Sequence, residues 1–347
     1  MSQKIPFAII GTSWITHDYV KCAQATSKFS LRGVYSRTLD SAKDFASRYQ
    51  SSTNDVALFD SLDKLAADPS ISTVYIASPN SLHYTHAHAM LSAGKHVILE
   101  KPSTCTSAEL TSLFTLAYAQ NLILVEAWRH VHETNFLALK AALPNVGRLL
   151  GANVNFCQFS SRYDRVLAGE TPNVFNLDFG AGALTDLGCY CVAFAVELFG
   201  SPVSAQYFPV RIATGADGGG TLLMHYEEEG RTFTVTIVFS KMFFSTAPCE
   251  VFGERGTLVV PTVTDIERVE FVDPRVRVGE QGRVTQLGGE KVPFEYNLRE
   301  EAEVHGSMIL ERDVEAMRRW EGHSRSVLKV TEGVRRDNGL LFPVERK

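Results

Sequence analysis

Short apolar segments alternate with helix-like segments through the first third of the chain. Continuous apolar runs of about four to eight residues are typical of strands buried on both faces, and the segments between them have helical spacing. Strands are predicted at residues 5–10, 29–36, 72–77, 95–99 and 122–126, and helices up to residue 26 and at residues 39–49, 61–67, 82–93 and 107–120. This repeated order predicts a doubly wound parallel sheet with right-handed crossovers.

From about residue 130 the pattern changes to strands that follow one another without long helices between them. A linking helix is predicted at residues 133–142, strands at 150–159, 203–212, 221–225, 232–240, 249–252 and 256–260 with weaker ones up to 294, and closing helices at 300–320 and 327–339. Turn signals such as Glu229-Gly230 separate the strands, which indicates a large, mainly antiparallel open sheet flanked by helices. We therefore predict two domains, residues 1–128 (α/β) and 129–347 (α+β), with the last helix able to pack back on the first domain.

The composition and charge favour a soluble intracellular protein. Of 347 residues, 45% are hydrophobic and 21% are charged, and the formal net charge is -5 without a long run of one sign. Nucleic acids and anionic membranes call for a basic face, so neither is expected as a partner. We expect no bilayer-spanning segment and no signal peptide. Six cysteines without Cys-x-x-Cys spacing indicate reduced thiols and a cytoplasmic location.

The first strand ends in a turn that occupies the place of a dinucleotide fingerprint. Of the three glycines in G-x-G-x-x-G, this chain has only Gly11, because Ser13 and Thr16 replace the other two. The N-terminus of the following helix still offers N–H groups and a favourable dipole to a phosphate. The candidate phosphate-binding residues are Gly11, Thr12, Ser13, Trp14 and Ile15. An ordinary strand-to-helix turn is the alternative, and these residues alone do not decide between the two.

The end of the second strand bears on which nucleotide binds. NAD-selective folds carry an acid about twenty residues beyond the glycine turn, where it binds the ribose 2′-hydroxyl. This chain has Ser36, Arg37 and Thr38 there, and no acid before Asp40. A guanidinium beside hydroxyls suits a 2′-phosphate, because its paired donors match phosphate geometry. NADP is therefore the predicted cofactor, with NAD as the alternative, unless Arg37 is only an exposed residue that starts the next helix.

Three later strands end in polar or charged residues. The segment 94–102 (Gly-Lys-His-Val-Ile-Leu-Glu-Lys-Pro) places Glu100 and Lys101 at the end of a buried strand. Carboxyl ends of parallel strands meet at the edge where open α/β sheets bind ligands, so these residues are expected to line a crevice. Taken alone, the pair is better explained as a solvated ion pair at a strand end. The other strand-end candidates are Ser78, Pro79, Asn80 and Glu126.

Two motifs at this spacing resemble the glucose-fructose oxidoreductase/inositol dehydrogenase (Gfo/Idh/MocA) family. They are the segments 77–83 (Ala-Ser-Pro-Asn-Ser-Leu-His) and 94–102, with Gly11 near the N-terminus. The resemblance covers the first third tightly and the remainder loosely. It implies a Rossmann domain, an α+β domain, and NAD(P)-dependent hydride transfer to or from a sugar, polyol or cyclic diol. Residues expected beside the cofactor or substrate are Asn80, His83, Glu126, Trp128 and Arg129.

The segment 180–190 carries the remaining catalytic candidates, Asp186 and Tyr190. On an α-helix they are i and i+4 and share a face. In the family, this acid and the last residue face the nicotinamide, and tyrosine at the last place resembles the dimeric dihydrodiol and D-xylose dehydrogenase branch. A tyrosine has an ordinary pKa of about 10, which a nearby ammonium lowers. We hypothesise that Tyr190 exchanges the proton, Lys101 activates it, and Asp186 positions the substrate or Lys101. The alternative makes Tyr190 a core aromatic residue.

Other classes of function have less support. A cofactor-binding regulatory or scaffold protein without catalysis is the main alternative, and the replacements Ser13 and Thr16 motivate it. No metal site is predicted, because the histidine pair His83 and His86 has no evident third ligand. An open sheet must cover its second face, and family members commonly do so with another subunit, so we expect a homodimer or higher homo-oligomer. The remaining expected partner is a small sugar, polyol or diol substrate.

Overall fold

The computed structural model describes residues 4–49, 55–228 and 230–346. Glu229, which the sequence places in a turn, lies outside the described residues, as do the first three residues. The chain divides into two compact units, Met1–Trp128 with Pro293–Arg325 and Arg129–Val292 with Ser326–Lys347. Each unit contains one sheet.

The first unit is built on a six-stranded parallel sheet. Its strands are β1 (Ile5–Ile10), β2 (Phe29–Tyr35), β3 (Ala57–Phe59), β4 (Thr73–Ile76), β5 (His96–Glu100) and β6 (Leu124–Ala127). They lie in the order β3-β2-β1-β4-β5-β6. This is the strand order of the doubly wound dinucleotide-binding sheet, so the predicted fold class is confirmed. The sequence pattern missed β3, whose three residues are too few to show a period.

Helices follow the strands in the first unit. They are α1 (Trp14–Ala25), α2 (Leu39–Ser47), α3 (Leu62–Ala67), α4 (Asn80–Ser92) and α5 (Ser107–Ala119). Hydroxyl side chains define three of their starts, because Thr38, Ser61 and Thr106 each accept a backbone N–H from three residues further on. Such capping satisfies donors that the helix itself leaves unpaired.

The Gly-Lys-His part of the segment 94–102 fixes β5 in the sheet. Gly94 ends α4 in a left-handed conformation (φ +76°). The Lys95 ammonium donates to the carbonyl oxygens of Asp68 at 2.7 Å and Ile71 at 2.8 Å, and His96 Nδ1 accepts the Ile123 N–H at 2.8 Å. Lys95 and His96 therefore satisfy backbone groups beside the sheet, and this part of the motif is structural.

The second unit is built on an eight-stranded mixed sheet. Its strands are β7 (Leu149–Cys157), β8 (Ser204–Arg211), β9 (Asp217–Glu228), β10 (Arg231–Ser240), β11 (Cys249–Gly253), β12 (Thr257–Val260), β13 (Glu270–Val272) and β14 (Val284–Gln286). The order is β14-β13-β12-β11-β7-β10-β9-β8, in which β7 and β10 pair in parallel and the other neighbours are antiparallel. The predicted, mainly antiparallel sheet is confirmed.

One face of this sheet forms the core of the second unit. Alternate residues such as Met224 on β9 and Val235 and Ile237 on β10 are fully buried. The helices of this part of the chain are α6 (Thr134–Ala142), α7 (Tyr163–Leu167) and α8 (Cys189–Phe199). Gly188 precedes α8 and lies close to the Phe239 ring, which a Cβ at that position would meet at 2.9 Å.

Two helix predictions are corrected by the structure. The segment before α8 is a π-helical turn, Leu184–Gly188, so Asp186 does not lie on a regular α-helix with Tyr190. The closing helices are α9 (Arg299–Glu311) and α10 (Val314–Asp337), whereas the sequence placed the break after residue 320. The break falls at Arg312, which is left-handed (φ +52°), and Asp313 then accepts the Ala316 N–H at 2.9 Å. The second closing helix therefore begins earlier than predicted, and Gly322 lies inside α10.

Within the described part of the chain, Leu177–Phe199 is long and apolar enough to cross a membrane, with a mean hydropathy of 1.5. By length and composition it departs from the expectation that no such segment exists. However, 78% of that window is buried inside the fold, and core helices of soluble proteins pass the same test.

Candidate active site

The turn after β1 is shaped by a close backbone approach at Gly11. Gly11 has φ +102°, and a Cβ there would lie 2.5 Å from the carbonyl oxygen of Ala77, which follows β4. Only glycine meets both conditions. Ser13 is the N-cap of α1 and makes no side-chain capping bond, so the first N–H groups of α1 point at the turn. This cradle fits a dinucleotide phosphate although two fingerprint glycines are replaced.

A cavity of about 360 Å³ lies beside this turn. It is lined by Thr12, His17, Asp40, Ser41, Asp44 and Phe45. Thr12 and the first half of α2, with the carboxylates of Asp40 and Asp44, therefore line one cavity, and the nucleotide site there stays a prediction. The sequence did not single out His17 and Phe45, whose rings stack at 4.0 Å.

Among the other candidates, Arg37 is exposed, Ile15 is half-buried, and Trp14 is 72% exposed. The Ser36 N–H donates to the Phe59 carbonyl at 3.1 Å.

His83 links the segments that follow β4 and β5. Its ring nitrogens lie 2.8 Å from the Ser78 carbonyl oxygen and 2.9 Å from the Pro102 carbonyl oxygen. Burial lowers the pKa of His83 to about 4, so the neutral ring donates to one of the two carbonyls. The Lys101–Pro102 peptide bond is cis. His83 thus holds the backbone directly after Lys101, and its assignment to the cofactor stays a prediction.

Glu100 holds the same segment from the other side. Its Oε1 accepts the Tyr75 hydroxyl at 2.6 Å, and its Oε2 accepts the Lys101 N–H at 3.2 Å. Burial raises the pKa of Tyr75 well above its usual value, and the Glu100 charge and hydrogen bond add to this, so the phenol stays a donor. The acid of the Glu-Lys-Pro motif therefore orders the strand end that presents Lys101.

Glu126 and Trp128, at the end of β6, are buried. Glu126 is 5% exposed and its Oε1 accepts the Ser103 N–H at 2.6 Å. Burial raises the pKa of Glu126 to about 7, although bonds from Ser324, Ser103 and Trp128 lower it in part. These contacts organise the interior of the first unit, and a contact with cofactor or substrate stays a prediction for both residues.

In the second unit, Asp186 forms an ion pair with Lys241, which directly follows β10. The Lys241 side chain is 9% exposed and the Asp186 side chain is 35% exposed. The carboxylate therefore reaches the surface of the unit while its cation is mostly buried behind it. Sequence reasoning did not find Lys241, although a lysine directly after an apolar strand is the signal that singled out Lys101.

Asp217 fixes the turn that carries Asp186. Its Oδ2 accepts the Leu184 N–H and the Tyr207 hydroxyl, both at 2.7 Å, and Asp217 itself is 3% exposed. Gly182 makes room for it, since a Cβ at that glycine would overlap the carboxylate. Burial raises the pKa of Asp217, against the effect of its hydrogen bonds. Tyr207 on β8 and Asp217 on β9 thereby hold the start of the π-helical turn in place.

Tyr190 lies on α8 between two aromatic rings. Its ring centroid is 5.0 Å from that of His130 and 5.8 Å from that of Phe156, both in edge-to-face geometry. His130 Nε2 also lies 3.1 Å from the Tyr190 carbonyl oxygen. Edge-to-face packing restricts the ring, so the direction of the phenol is set by its neighbours.

Arg129 lies next to His130 of this cluster, in the short 3-10 helix Arg129–His132, and its side chain is 15% exposed. Its Nη2 donates to Asp265 Oδ2 at 2.6 Å, and Nη1 lies 3.5 Å from Glu133 Oε1. Burial lowers the pKa of Arg129, but the bond to Asp265 and the charge of Tyr190 outweigh it, so the pKa lies above its usual value. The structure thus places Arg129 with Tyr190, in the second unit.

No group of three or more histidine, cysteine, aspartate or glutamate side chains suited to a metal ion occurs among residues 4–49, 55–228 and 230–346.

A parallel sheet in the dinucleotide-binding order, with a glycine cradle at a helix N-terminus and a strand-end lysine, defines a nucleotide-dependent enzyme. Residues 5–127 match the oxidoreductase family with an NAD-binding Rossmann fold, and residues 142–259 match the GFO/IDH/MocA C-terminal domain. The chain therefore belongs to the Gfo/Idh/MocA family, as its motifs predicted, and it is an oxidoreductase with an NAD(P)-binding Rossmann domain.

Two curated relatives match nearly the whole chain, and a third matches about two thirds of it. The uncharacterized oxidoreductase YgjR of Escherichia coli K12 is 37% identical over 98% of both chains. The scyllo-inositol 2-dehydrogenase (NADP(+)) IolU of Bacillus subtilis 168 is 34% identical over 99% of both. The human trans-1,2-dihydrobenzene-1,2-diol dehydrogenase is 30% identical over 67% of this chain and 68% of its own.

Solved structures share the fold. The 3-ketoreductase KijD10 of Actinomadura kijaniata, in complex with NADP and TDP-benzene, superposes with a TM-score of 0.80. The alignment covers 96% of this chain and 98% of KijD10, at 21% identity.

Proposed function

We propose that this protein is an NADP-dependent dehydrogenase or reductase that acts on a CH–OH or C=O carbon of a sugar, polyol or cyclic diol. The observation that carries the proposal is the 34% identity, over 99% of both chains, with an inositol dehydrogenase that uses NADP. Residues 1–128 serve as the NADP-binding domain and residues 129–347 as the substrate-binding and assembly domain.

The first unit supplies the proposed cofactor site. The Gly11 cradle and the N-terminus of α1 hold the pyrophosphate, and Arg37 with Ser36 and Thr38 holds the 2′-phosphate. When bound, the oxidised cofactor NADP+ would accept a hydride at its nicotinamide, and the reduced cofactor NADPH would supply one. The remaining proposed cofactor-binding residues are Thr12, Ser13, Trp14, Ile15, Ser78, Pro79, Asn80, His83, Glu100, Lys101, Glu126, Trp128 and Arg129.

Three residues are proposed to carry the proton chemistry. In the oxidative direction the hydroxyl carbon loses a hydride and the hydroxyl loses its proton to Tyr190; reduction reverses both transfers. An ammonium lowers the pKa of a nearby phenol, so Lys101 is assigned to make Tyr190 an effective base. Asp186 orients the substrate hydroxyl. The Arg129 guanidinium is proposed as a second positive charge acting on Tyr190, which also favours the phenolate.

A homodimer or larger homo-oligomer is proposed to form through the second sheet. The face opposite the core carries Phe208, which is 51% exposed, and the half-buried Leu223, Val238 and Val259. An apolar sheet face of this kind is stabilised when a second copy covers it. Light scattering of the purified protein tests this, because a monomer at working concentration overturns it.

A cytoplasmic location is also proposed. The six cysteines are buried, and none of them forms a disulfide within the part of the chain that the structure describes, which suits a reducing compartment. Cell fractionation tests it, and recovery of the protein outside the cytoplasm would contradict it.

A substrate screen tests the proposed function. Sugars, inositols and cyclic diols are offered with NADP, and their ketones with NADPH, while nicotinamide absorbance is followed; the same screen with NAD and NADH is the matched comparison. We expect turnover with NADP for at least one polyol or diol. Tight NADPH binding, followed by fluorescence, without any turnover would favour the non-catalytic scaffold instead. Absence of binding to either nucleotide would overturn the cofactor assignment.

A further inference from the structure

Lys241 is held rigidly behind the Asp186 carboxylate. Its N–H donates to the Gly218 carbonyl at 2.8 Å, and its carbonyl oxygen accepts the Ser160 N–H at 2.9 Å. These two bonds tie its backbone to β9 and to the segment that follows β7. Its ammonium lies 5.8 Å from the centre of the Phe175 ring. The backbone position from which the side chain reaches Asp186 is therefore fixed.

The ion pair joins a buried cation to a carboxylate at the surface of the unit. With the Lys241 side chain 9% exposed, solvent stabilises its charge little, and the Asp186 carboxylate takes over that role. The pair is therefore asymmetric: the Lys241 side chain is mostly buried, whereas the Asp186 side chain is 35% exposed.

We propose that Lys241 is a positioning residue for the reaction, which holds Asp186 ionised and oriented toward the substrate hydroxyl. This inference rests on the proposed function. It gives Asp186 a counterion within the second unit.

Other titratable groups also face the π-helical turn. Asp217 on β9 accepts the Leu184 N–H at 2.7 Å, and the Cys189 thiol on α8 donates to the Thr185 carbonyl oxygen at 3.0 Å. Burial raises the pKa of Asp217. Within the second unit, Lys241 is a cation that pairs with Asp186.

The test compares wild type with Lys241→Met, Lys241→Arg, Asp186→Asn and the double variant. Carboxyl-carbon NMR of aspartate-labelled protein, with Asp186→Asn for assignment, reports the Asp186 titration independently of activity. An opposite charge this close shifts a carboxyl pKa by about one to three units. We expect Lys241→Met to raise the titration midpoint by at least about one unit, and Lys241→Arg to restore it.

Lys140→Met is the matched control, because Lys140 pairs with Glu197 of α8 at 2.6 Å in the same unit. It should leave the Asp186 midpoint unchanged. If Lys241→Met does not fold, Lys241→Gln replaces it. A folded Lys241→Met or Lys241→Gln variant with the wild-type midpoint would overturn the proposal.

Kinetics then connect the pair to the reaction. Lys241→Met should lower kcat by on the order of tenfold or more, with less change in KM, and should move the acidic limb of the kcat/KM profile to higher pH. In the Asp186→Asn background the same substitution should have little further effect. Additive losses contradict action through Asp186. Absence of turnover in the wild type instead overturns the proposed function. The NMR titration then still tests whether Lys241 sets the titration midpoint of Asp186.

Discussion

The Tyr75 hydroxyl donates a hydrogen bond to Glu100 Oε1 at 2.6 Å, across the neighbouring strands β4 and β5. The same carboxylate accepts the N–H of Lys101 through its other oxygen. A tyrosine in the sheet interior thus orders the backbone at the proposed catalytic lysine.

Tyr75→Phe removes this donor and leaves the ring in place. It should reduce the free energy of unfolding by about 1–3 kcal/mol, because a buried acceptor loses its partner. It should also lower kcat/KM, since the strand end that presents Lys101 is less ordered. Denaturant unfolding and steady-state kinetics measure both effects.

Tyr84→Phe is the control for that variant, because the Tyr84 hydroxyl bonds Ser112 on α5 at 3.2 Å, away from the Glu-Lys-Pro segment. It should leave kcat/KM within about twofold of wild type. Equal kinetic losses in the two variants would show that Glu100 does not order Lys101.

Arg37→Ala tests the choice of nucleotide. A guanidinium on the 2′-phosphate contributes about 1.5–3 kcal/mol, so the Kd of NADPH should rise about tenfold or more. The Kd of NADH should change little. Fluorescence titration with both nucleotides measures this, and Lys43→Ala, which removes an exposed positive charge from α2, is the control. An equal effect on both nucleotides would refute the 2′-phosphate contact.

Gly11→Ala tests the phosphate cradle. The added Cβ meets the Ala77 carbonyl in a left-handed conformation, which costs about 1–3 kcal/mol and displaces the turn. NADPH binding should therefore weaken strongly. Gly94→Ala is the matched control, because Gly94 is also left-handed (φ +76°) but has nothing within 4 Å of the new Cβ. Normal nucleotide affinity in folded Gly11→Ala would contradict the cradle.

The raised pKa of Glu126 predicts that the free energy of unfolding depends on pH. Its folded pKa, about 7, lies above the ordinary value of 4.5, so the folded state binds the proton more tightly than the unfolded state does. The contribution of the protonated Glu126 to the free energy of unfolding is complete below about pH 4.5. It is lost as the pH rises through about 7, by up to about 1.4 kcal/mol per pH unit.

Glu126→Gln keeps the size of the side chain and removes this titration. The slope of unfolding free energy between about pH 4.5 and 7 should become smaller in this variant, whereas Glu315→Gln, whose parent side chain is 82% exposed, should keep it. An unchanged slope in Glu126→Gln would show that Glu126 does not carry the pH dependence.

The sequence predicted the first sheet and the family well, because β1, β4 and β5 are buried on both faces and read as continuous apolar runs. The segment 94–102 is a contiguous motif, so Lys101 could be chosen as a catalytic candidate from the sequence alone. The mainly antiparallel second sheet followed from strand and turn signals that are also local.

Other features depend on contacts between residues far apart in the chain. The π-helical turn at Asp186 is held by Asp217, 33 positions from Leu184, and Lys241 lies 55 positions from Asp186. Helical periodicity carries no information on either pairing. Similarly, the sequence pattern placed a break between residues 320 and 327, but the left-handed Arg312 and the Asp313 cap place it earlier.

The most direct measurement of the central claim is turnover of Lys101→Met with the best substrate of the screen, together with its NADPH affinity. If Lys101 activates Tyr190, kcat falls by on the order of a thousandfold or more while the NADPH Kd stays within a few-fold of wild type. Turnover at the wild-type rate in Lys101→Met would contradict the assignment of Lys101, and with it the proposed chemistry.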